Sequence, residues 1–589
     1  MSTKHFFTDA GSMVIESLRT LAACNPHIGL DEPNRVIYSK THPPSRVAIV
    51  SGGGSGHEPA WSGYVGDGML ASVANGDIFA SPSAKQVSAA IDIVASDTGV
   101  ILAITNYTGD NLHFGLAREK ALAKGLKKVA ILRATDDAVL PRKTIERTGR
   151  RGLAGNILTL KIIGAAAQAD WNFEQVLELG EQLNLNLVTI GSSLDHCDIP
   201  GRVSPEKVPE DVCVLGMGIH NEPGLQKIKP IPSIEELMKE MLGFLLALND
   251  GERSYVEFKP DDVVVLFVNN FGGLSNVELN AIAQVAIRQL KQSWKIVPVR
   301  VFSGTFETSL NGPGFSVSLC NVSGVSRSIS NPTDTILSFI DAPTDAPAWP
   351  RTTSYRKGLS DPTKANGAVN GANKRWETKR MEVQVNPESL EQSIRKGCNR
   401  AIDAEPILTK WDMQMGDGDC GEAVKAVLAK LDKGITKSGS LFATLEQVLD
   451  CMEDIGGSLG AILSIFLASF TASLQQAVVE SSSKIPTIEM IGTSAGHALE
   501  NLKLDTSARV GDRTVMDALI PFCEMLVKAE NLGVAVQACK DGAESTRGMK
   551  ARFGRATYVS GGETCKDTPP DPGAWAIYEL FLGLQEGWN

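Results

Sequence analysis

VAIVSGGGSGHEPAW, residues 47 to 61, reads as a short apolar strand running straight into a glycine-rich turn that carries a histidine. Glycines at such a joint let backbone N–H groups come close to a ligand, and a helix starting nearby points its positive end at an oxygen-rich group. A plain strand-to-helix turn would use the same glycines, but His57 and Glu58 within it favour a site. The pattern recurs outward along the chain. Val100 to Ile104, Val129 to Leu132, Val212 to Leu215 and Val263 to Val268 are further apolar runs separated by helical stretches. Strands that are apolar throughout are buried on both faces, so the first half is expected to be α/β, with mostly parallel sheets flanked by helices. Ser233 with Glu236, and Ser275 with Glu278, have capping-box spacing and mark two helix starts. Pro298, inside Lys295 to Val301, makes that segment an edge strand or a bend.

Two more polar loops follow apolar strands. NYTGDNLHFG, Asn106 to Gly115, contains Asp110, and GMGIHNEPG, Gly216 to Gly224, contains His220. Open α/β sheets bind ligands at the carboxyl ends of their strands, so Asp110 and His57 are expected to converge there. Alone, Asp110 would read as a helix cap. An unprotonated imidazole is a nucleophile able to add to a carbonyl. A single loop histidine is ordinarily structural, but three polar loops at strand ends, two bearing histidine, outweigh that reading.

From Asp341 to Lys379 the chain is rich in Pro, Thr, Asn, Gly and Lys, without apolar periodicity, and reads as an exposed linker. It divides a domain at 1–340 from one at 380–589. The latter has long helical periods, among them Glu388 to Ala404 and Val515 to Ala529, and is expected to be all-α. Within it LTKWDMQMGDGDCGE places Asp412, Asp417 and Asp419 in one short loop. Clustered carboxylates repel one another unless a hard cation lies between them. An EF-hand does not fit, since the twelfth position is Leu428 counted from Asp417 and Ala423 counted from Asp412. Magnesium bridging nucleotide phosphates fits better. Glycine-rich joints recur at 456–460, 511–514, 554–556 and 571–574, and neither a G-x-x-x-x-G-K-[ST] loop nor a protein-kinase signature is present.

At 589 residues the chain exceeds the roughly 250 to 300 residues at which single cores stop growing. Its composition, 43% hydrophobic and 21% charged, is that of a soluble globular protein. A net charge of -11 without a basic cluster argues against a nucleic-acid partner. The longest apolar run, near Ala461 to Leu474, is expected to be too short for a bilayer, so no membrane partner and a cytoplasmic location are expected. The ten cysteines show no C-x-x-C pair and are expected to be reduced, small and mostly buried.

Taken in order, GGGSGHEP, FASPS (79–83), NYTGD, RRGLAG (150–155), GMGIHNEPG, TSLNGPGFS (308–316), GDGDCG, GDRT, GRA and DPGA closely resemble the dihydroxyacetone kinase family in its single-chain, ATP-dependent form. The resemblance spans nearly the whole chain and implies a substrate-binding α/β domain, built of two α/β subdomains, ahead of an all-α helical barrel that binds ATP. It implies phosphorylation of dihydroxyacetone, a short keto-sugar, with glyceraldehyde secondary. His220 would form a hemiaminal with the carbonyl, which separates such substrates from glycerol. His57 and Asp110 would hydrogen-bond the substrate and assist proton removal from the attacking hydroxyl. Gly54, Ser55 and Gly56 would cradle the substrate, with Thr105 beside it. Asp412, Asp417 and Asp419 would hold two Mg²⁺ ions on ATP. Asp417, Gly418, Asp419, Cys420, Gly421, Gly457, Ser458, Arg555, Asp571, Pro572 and Gly573 match nucleotide-contacting segments. The family works as a homodimer. It usually has lysine at the position of Thr105, histidine at that of Trp61 and serine at that of Leu459. Two alternatives stay open: cleavage of FAD to a cyclic riboflavin phosphate and AMP, and a non-phosphorylating sugar-sensing paralogue.

Overall fold

Each apolar run of the first half forms a strand in the computed structural model. The structure describes residues 5–350 apart from 95, 204 and 247–249. It also describes 383–588 apart from 416–419, 422–423, 426–427, 430, 432–438, 453–456, 482–484, 530 and 553–567. The chain divides into two units, Met1–Gly367 and Ala368–Asn589.

The first unit carries two six-stranded sheets. One comprises β1 (Ile28–Asp31), β2 (Val36–Ser39), β3 (Ala48–Ser55), β4 (Ser72–Ile78), β5 (Val100–Thr105) and β6 (Val129–Ala134), in the order β1-β2-β4-β3-β5-β6. Its β4, β3, β5 and β6 run parallel, as expected. The other comprises β7 (Leu187–Ser193), β8 (Cys213–Leu215), β9 (Gln226–Ile228), β10 (Val264–Asn270), β11 (Arg300–Gly304) and β12 (Gly314–Asn321), in the order β11-β10-β12-β7-β8-β9. Here only β10 and β11 are parallel and the remaining pairs are antiparallel, which corrects the expectation of mostly parallel sheets. Apolar residues on both faces of a strand report that the sheet is covered on both sides; strand direction depends on the connections, which apolar periodicity does not encode. β11 is the edge strand foreshadowed by Pro298, which lies just ahead of it.

The helix Asn156–Gln168 is buried on every side except at Gln168, as a helix apolar all round must be. It belongs to a core that also takes Ile49, Val73 and Ile101 from the first sheet and Leu187, Val265 and Phe267 from the second. Ser233 and Glu236 form the expected capping box, and the Ser275 side chain accepts from the Glu278 amide. The segment read as linker does not begin at Asp341. Ala346 and Trp349 are buried, and Trp349 packs 5.1 Å from the Phe302 ring, so the chain stays attached to the core that far. Phe267, fully buried, lies 4.2 Å from Phe306 between ring centroids. Phe267→Ala is expected to cost about 3–5 kcal/mol, as large aromatic truncations in tight cores do, measured by urea unfolding.

Among the described residues the second unit is helical, with a single bridge between Gln384 and Ser440. Pro387–Asp403 and Met516–Ala529 fall where the periods predict them. The apolar run near 461–474 proves to be part of a longer helix, Gly457–Glu480, of which Leu459–Glu480 is long and apolar enough to cross a membrane by length and composition. Phe466, Leu474 and Val478 of this helix are buried in the unit's own cores. Leu463, Leu467 and Phe470 line an apolar cavity of about 310 Å³ inside the same unit. No disulfide joins two of the described cysteines.

Candidate active site

β3 ends in Ser55, after which Gly56 turns the chain at φ +95°, a left-handed conformation open to glycine. A Cβ there would stand 2.9 Å from the Phe79 ring. The Ser55 hydroxyl donates to the Gly76 carbonyl at 2.8 Å, which ties Gly54–Gly56 to β4. The segment between β11 and β12 closes over the turn, with Thr308 N donating to His57 O at 3.0 Å and Leu310 N to Gly56 O at 2.8 Å. His57, fully buried, is gripped between the stacked Phe79 ring at 4.9 Å and the edge-on Trp61 ring at 5.7 Å.

The two histidines, 163 residues apart in the chain, meet. His57 Nε2 lies 3.0 Å from His220 Nε2, and His57 Nδ1 lies 2.7 Å from the Thr308 carbonyl. Burial first, and the neighbouring His220 second, hold the His57 imidazole down to about 3, so it is neutral at physiological pH. The other face of the pair is built by Tyr107, whose ring stands edge-on to His220 at 4.7 Å. The buried Tyr107 hydroxyl has no protein partner, and burial pushes its proton affinity well above the phenolic norm.

Asp110 occupies the first turn of the helix Thr108–Ala123, directly beyond β5. Its Oδ2 accepts from Thr105 Oγ1 at 3.2 Å, while Oδ1 is buried without a well-formed partner. Burial raises the carboxyl above the aspartate norm, against hydrogen bonds from Ser81 and Thr105 and the positive influence of His220. Thr105 thus supports Asp110. Trp61 fills the space against Gly53, where a Cβ would meet the indole at 2.3 Å, and its Nε1 donates to Asn156 Oδ1 at 3.4 Å.

Glu222 was not singled out from sequence, although it sits two residues after His220 in the same loop. Its Oε1 lies 3.2 Å from His220 Nδ1, and its Oε2 accepts from the His220 amide at 2.9 Å. Burial would raise this carboxyl, but the His220 contacts and Arg151 outweigh it and hold it at about 2. Arg151, from the RRGLAG segment, is anchored by Asp137 at 2.7 Å and by the Gly216 carbonyl at 3.0 Å.

In the second unit Asp412 lies near the end of the helix Glu405–Met415, and its Oδ2 accepts from the Cys420 amide at 3.0 Å. Gly421 is packed so tightly that a Cβ would stand 2.2 Å from Thr409 Oγ1. Asp571 heads the helix Pro572–Trp588, its Oδ1 accepting from the Ala574 amide at 2.8 Å. Burial lifts its carboxyl to about 6, opposed by Ala574 and Arg513 and reinforced by Asp517 and Asp412. Gly573 lies against Leu459. Arg513, buried in the GDRT joint, was not singled out from sequence. Asp417, Gly418, Asp419 and Arg555 lie outside the described residues, and of Gly457 and Ser458 only the helical backbone is described. Among the described residues no three metal-ligating side chains converge. The donor chemistry that is described suits magnesium: the carboxylates of Asp412, Asp517 and Asp571 oppose one another's ionisation, and Asp417 and Asp419 follow Asp412 within seven residues of sequence.

The profile of the Dak1 domain matches residues 19–348 and that of the DAK2 domain residues 414–586. The chain belongs to the dihydroxyacetone kinase family. As a member of that family it is a kinase. It is similar to the dihydroxyacetone kinase of Komagataella pastoris, 39% identical over 100% of this chain and 99% of that protein. The triokinase/FMN cyclase of Homo sapiens is 33% identical over 100% of this chain and 99% of its own. Among solved structures, the dihydroxyacetone kinase from C. freundii in complex with AMP-PNP and Mg²⁺ matches at a TM-score of 0.62 and 26% identity, covering 99% of this chain and 100% of that one.

Proposed function

We propose that this kinase transfers the γ-phosphoryl group of ATP to dihydroxyacetone, and secondarily to glyceraldehyde, after His220 captures the substrate carbonyl as a hemiaminal. The observation that carries the reading is the 3.0 Å approach of the two imidazoles, with the buried Asp110 carboxyl in the first turn of the helix beyond β5. A neutral imidazole can take and return a proton, and a carboxylate oxygen has lone pairs enough to accept from a substrate hydroxyl as well. In this reading Gly54, Ser55 and Gly56 present backbone to the substrate, and His220 holds its carbonyl carbon. Asp110, with His57, removes the proton of the hydroxyl that attacks phosphorus. Trp61 and Phe79 wall the site against His57 and narrow it to suit a short chain.

Asp412, Asp417 and Asp419 would hold magnesium, which when bound neutralises charge on the phosphates during transfer. Cys420, Gly421, Gly457, Ser458, Arg555 and the run Asp571–Gly573 would border the nucleotide. The relative from C. freundii, solved with AMP-PNP and Mg²⁺, supports this assignment. With carbonyl and nucleotide residues on different units, transfer is proposed to take place in a homodimer, in the cytoplasm.

The test is ADP release in a coupled assay over a panel of short ketoses and aldoses. Turnover is expected with dihydroxyacetone, and EDTA is expected to bring it to background until excess Mg²⁺ is restored. No turnover with any short keto-sugar at saturating MgATP would end the proposal. The similarity to proteins called triokinase/FMN cyclase supports a second activity, conversion of FAD to a cyclic riboflavin phosphate and AMP. Incubation with FAD and Mn²⁺, with the cyclic product as readout, separates the two.

A further inference from the structure

The hydrogen bonds around the paired imidazoles assign their protons. A carbonyl oxygen only accepts, so His57 Nδ1, facing Thr308 O at 2.7 Å, carries hydrogen. The ring is neutral, which leaves His57 Nε2 as a bare lone pair. His220 Nε2, 3.0 Å away, must therefore supply the proton between them. His220 Nδ1 faces an ionised carboxylate, Glu222 Oε1 at 3.2 Å, and a carboxylate also only accepts. In this hydrogen-bond pattern both nitrogens of His220 donate, Nδ1 to Glu222 and Nε2 to His57.

We propose that Glu222 is a positioning residue, the fixed counter-ion of the His220 adduct: it holds Nδ1–H, turns Nε2 to the carbonyl carbon, and balances the charge of the substituted imidazolium. This rests on the reading above that His220 captures the carbonyl. The step balances without any outside reagent. The proton on His220 Nε2 passes to His57 Nε2, and the freed pair forms the N–C bond. The π pair of the C=O bond moves to oxygen, which takes the proton back from His57. His57 ends neutral, the former carbonyl is a carbinol, and His220 carries carbon on Nε2 and hydrogen on Nδ1. One positive charge faces Glu222 before and after, so no new charge is created beside the half-buried carboxylate. Removing the carboxylate charge leaves the adduct as an uncompensated cation.

The other groups facing His220 are His57, Tyr107 and Asp110, with Arg151 behind Glu222. Arg151 is fastened to Asp137 and the Gly216 carbonyl. It therefore keeps Glu222 ionised and in place without touching the imidazole in any described contact. Glu222 is attached twice to one residue, through the ring and the amide of His220, so ring orientation and loop conformation are set together.

The test uses the full chain without nucleotide. With carbonyl-labelled [¹³C]dihydroxyacetone, the wild type is expected to show a carbinol carbon in place of the ketone. In Glu222→Gln the bound fraction is expected to fall about 10-fold or more, the scale of one unit of lost charge stabilisation, and Glu222→Asp is expected to lie between. The ¹⁵N spectrum of the free protein, assigned with His220→Ala, is expected to show two N–H nitrogens in the wild type at neutral pH and a neutral ring in Glu222→Gln. Absence of any adduct in the wild type would remove the capture reading, and this proposal with it. A wild-type adduct that persists within two-fold in Glu222→Gln, with an unchanged ¹⁵N spectrum, would overturn the role of Glu222 alone. An equal loss of affinity for glycerol, which has no carbonyl, would mark the residue as merely structural and would also overturn it.

Discussion

His220→Ala is expected to lower kcat/KM for dihydroxyacetone by about 10³-fold, most of it through KM, and to erase the preference for dihydroxyacetone over glycerol. A positioned nucleophile or acid–base group contributes on this scale. Loss of a group that only captures substrate appears in KM, since binding is weakened alike in the ground and transition states. The discrimination ratio is the sharper readout. Only a carbonyl can join the imidazole, so without the ring ketose and polyol differ merely by ordinary hydrogen bonds. Steady-state kinetics on both substrates checks this; an unchanged ratio in His220→Ala would exclude covalent selection. The side chain is part-exposed and packs against Tyr107, Phe79 and His57, so its removal opens the pocket without cutting into a buried core.

Asp110→Asn is expected to lower kcat by about 10²–10⁴-fold, the usual contribution of a general base, while the fold keeps or gains stability. The two effects have one cause. Burial raises the Asp110 carboxyl above its unfolded value, so ionising it costs more in the folded state. Its stabilising contribution is whole below the unfolded value and is lost as pH rises through the folded one. At neutral pH an uncharged amide of the same shape escapes that loss. Activity runs the opposite way, since a base must be ionised. The acid limb of kcat/KM is therefore expected above the range of an ordinary aspartate in the wild type, and to vanish in Asp110→Asn. A pH profile together with a thermal melt decides it. Lost activity with a lowered melting temperature would place Asp110 in the scaffold rather than the chemistry.

Much of this was readable from residue order. VAIV followed by glycines gave strand and turn, because apolar runs and glycine clusters act locally. The change of period after the linker announced a helical second unit for the same reason. Strand direction in the second sheet was not readable, since an apolar strand pairs either way. The attachment of Ala346 and Trp349 was hidden too: two apolar residues in a Pro- and Thr-rich stretch have no period, and the ring partners of Trp349, Phe302 and Phe306, lie more than 40 residues back. Thr105 offered no sign that its hydroxyl would support Asp110.

Residue order alone thus specified the kinds of groups present: two histidines and an aspartate after strands, an acidic glycine-rich loop among helices, and a family likeness over nearly the whole length. Which of these groups touch was settled by folding. His57 and His220 become neighbours because the segment from Thr308 to Leu310, after the edge strand of one sheet, hydrogen-bonds onto the turn that ends β3 of the other. Protonation followed from that meeting, since burial and the partner across each hydrogen bond decide where a proton rests. These are properties of surroundings assembled from distant parts of the chain, and no single stretch of sequence contains them.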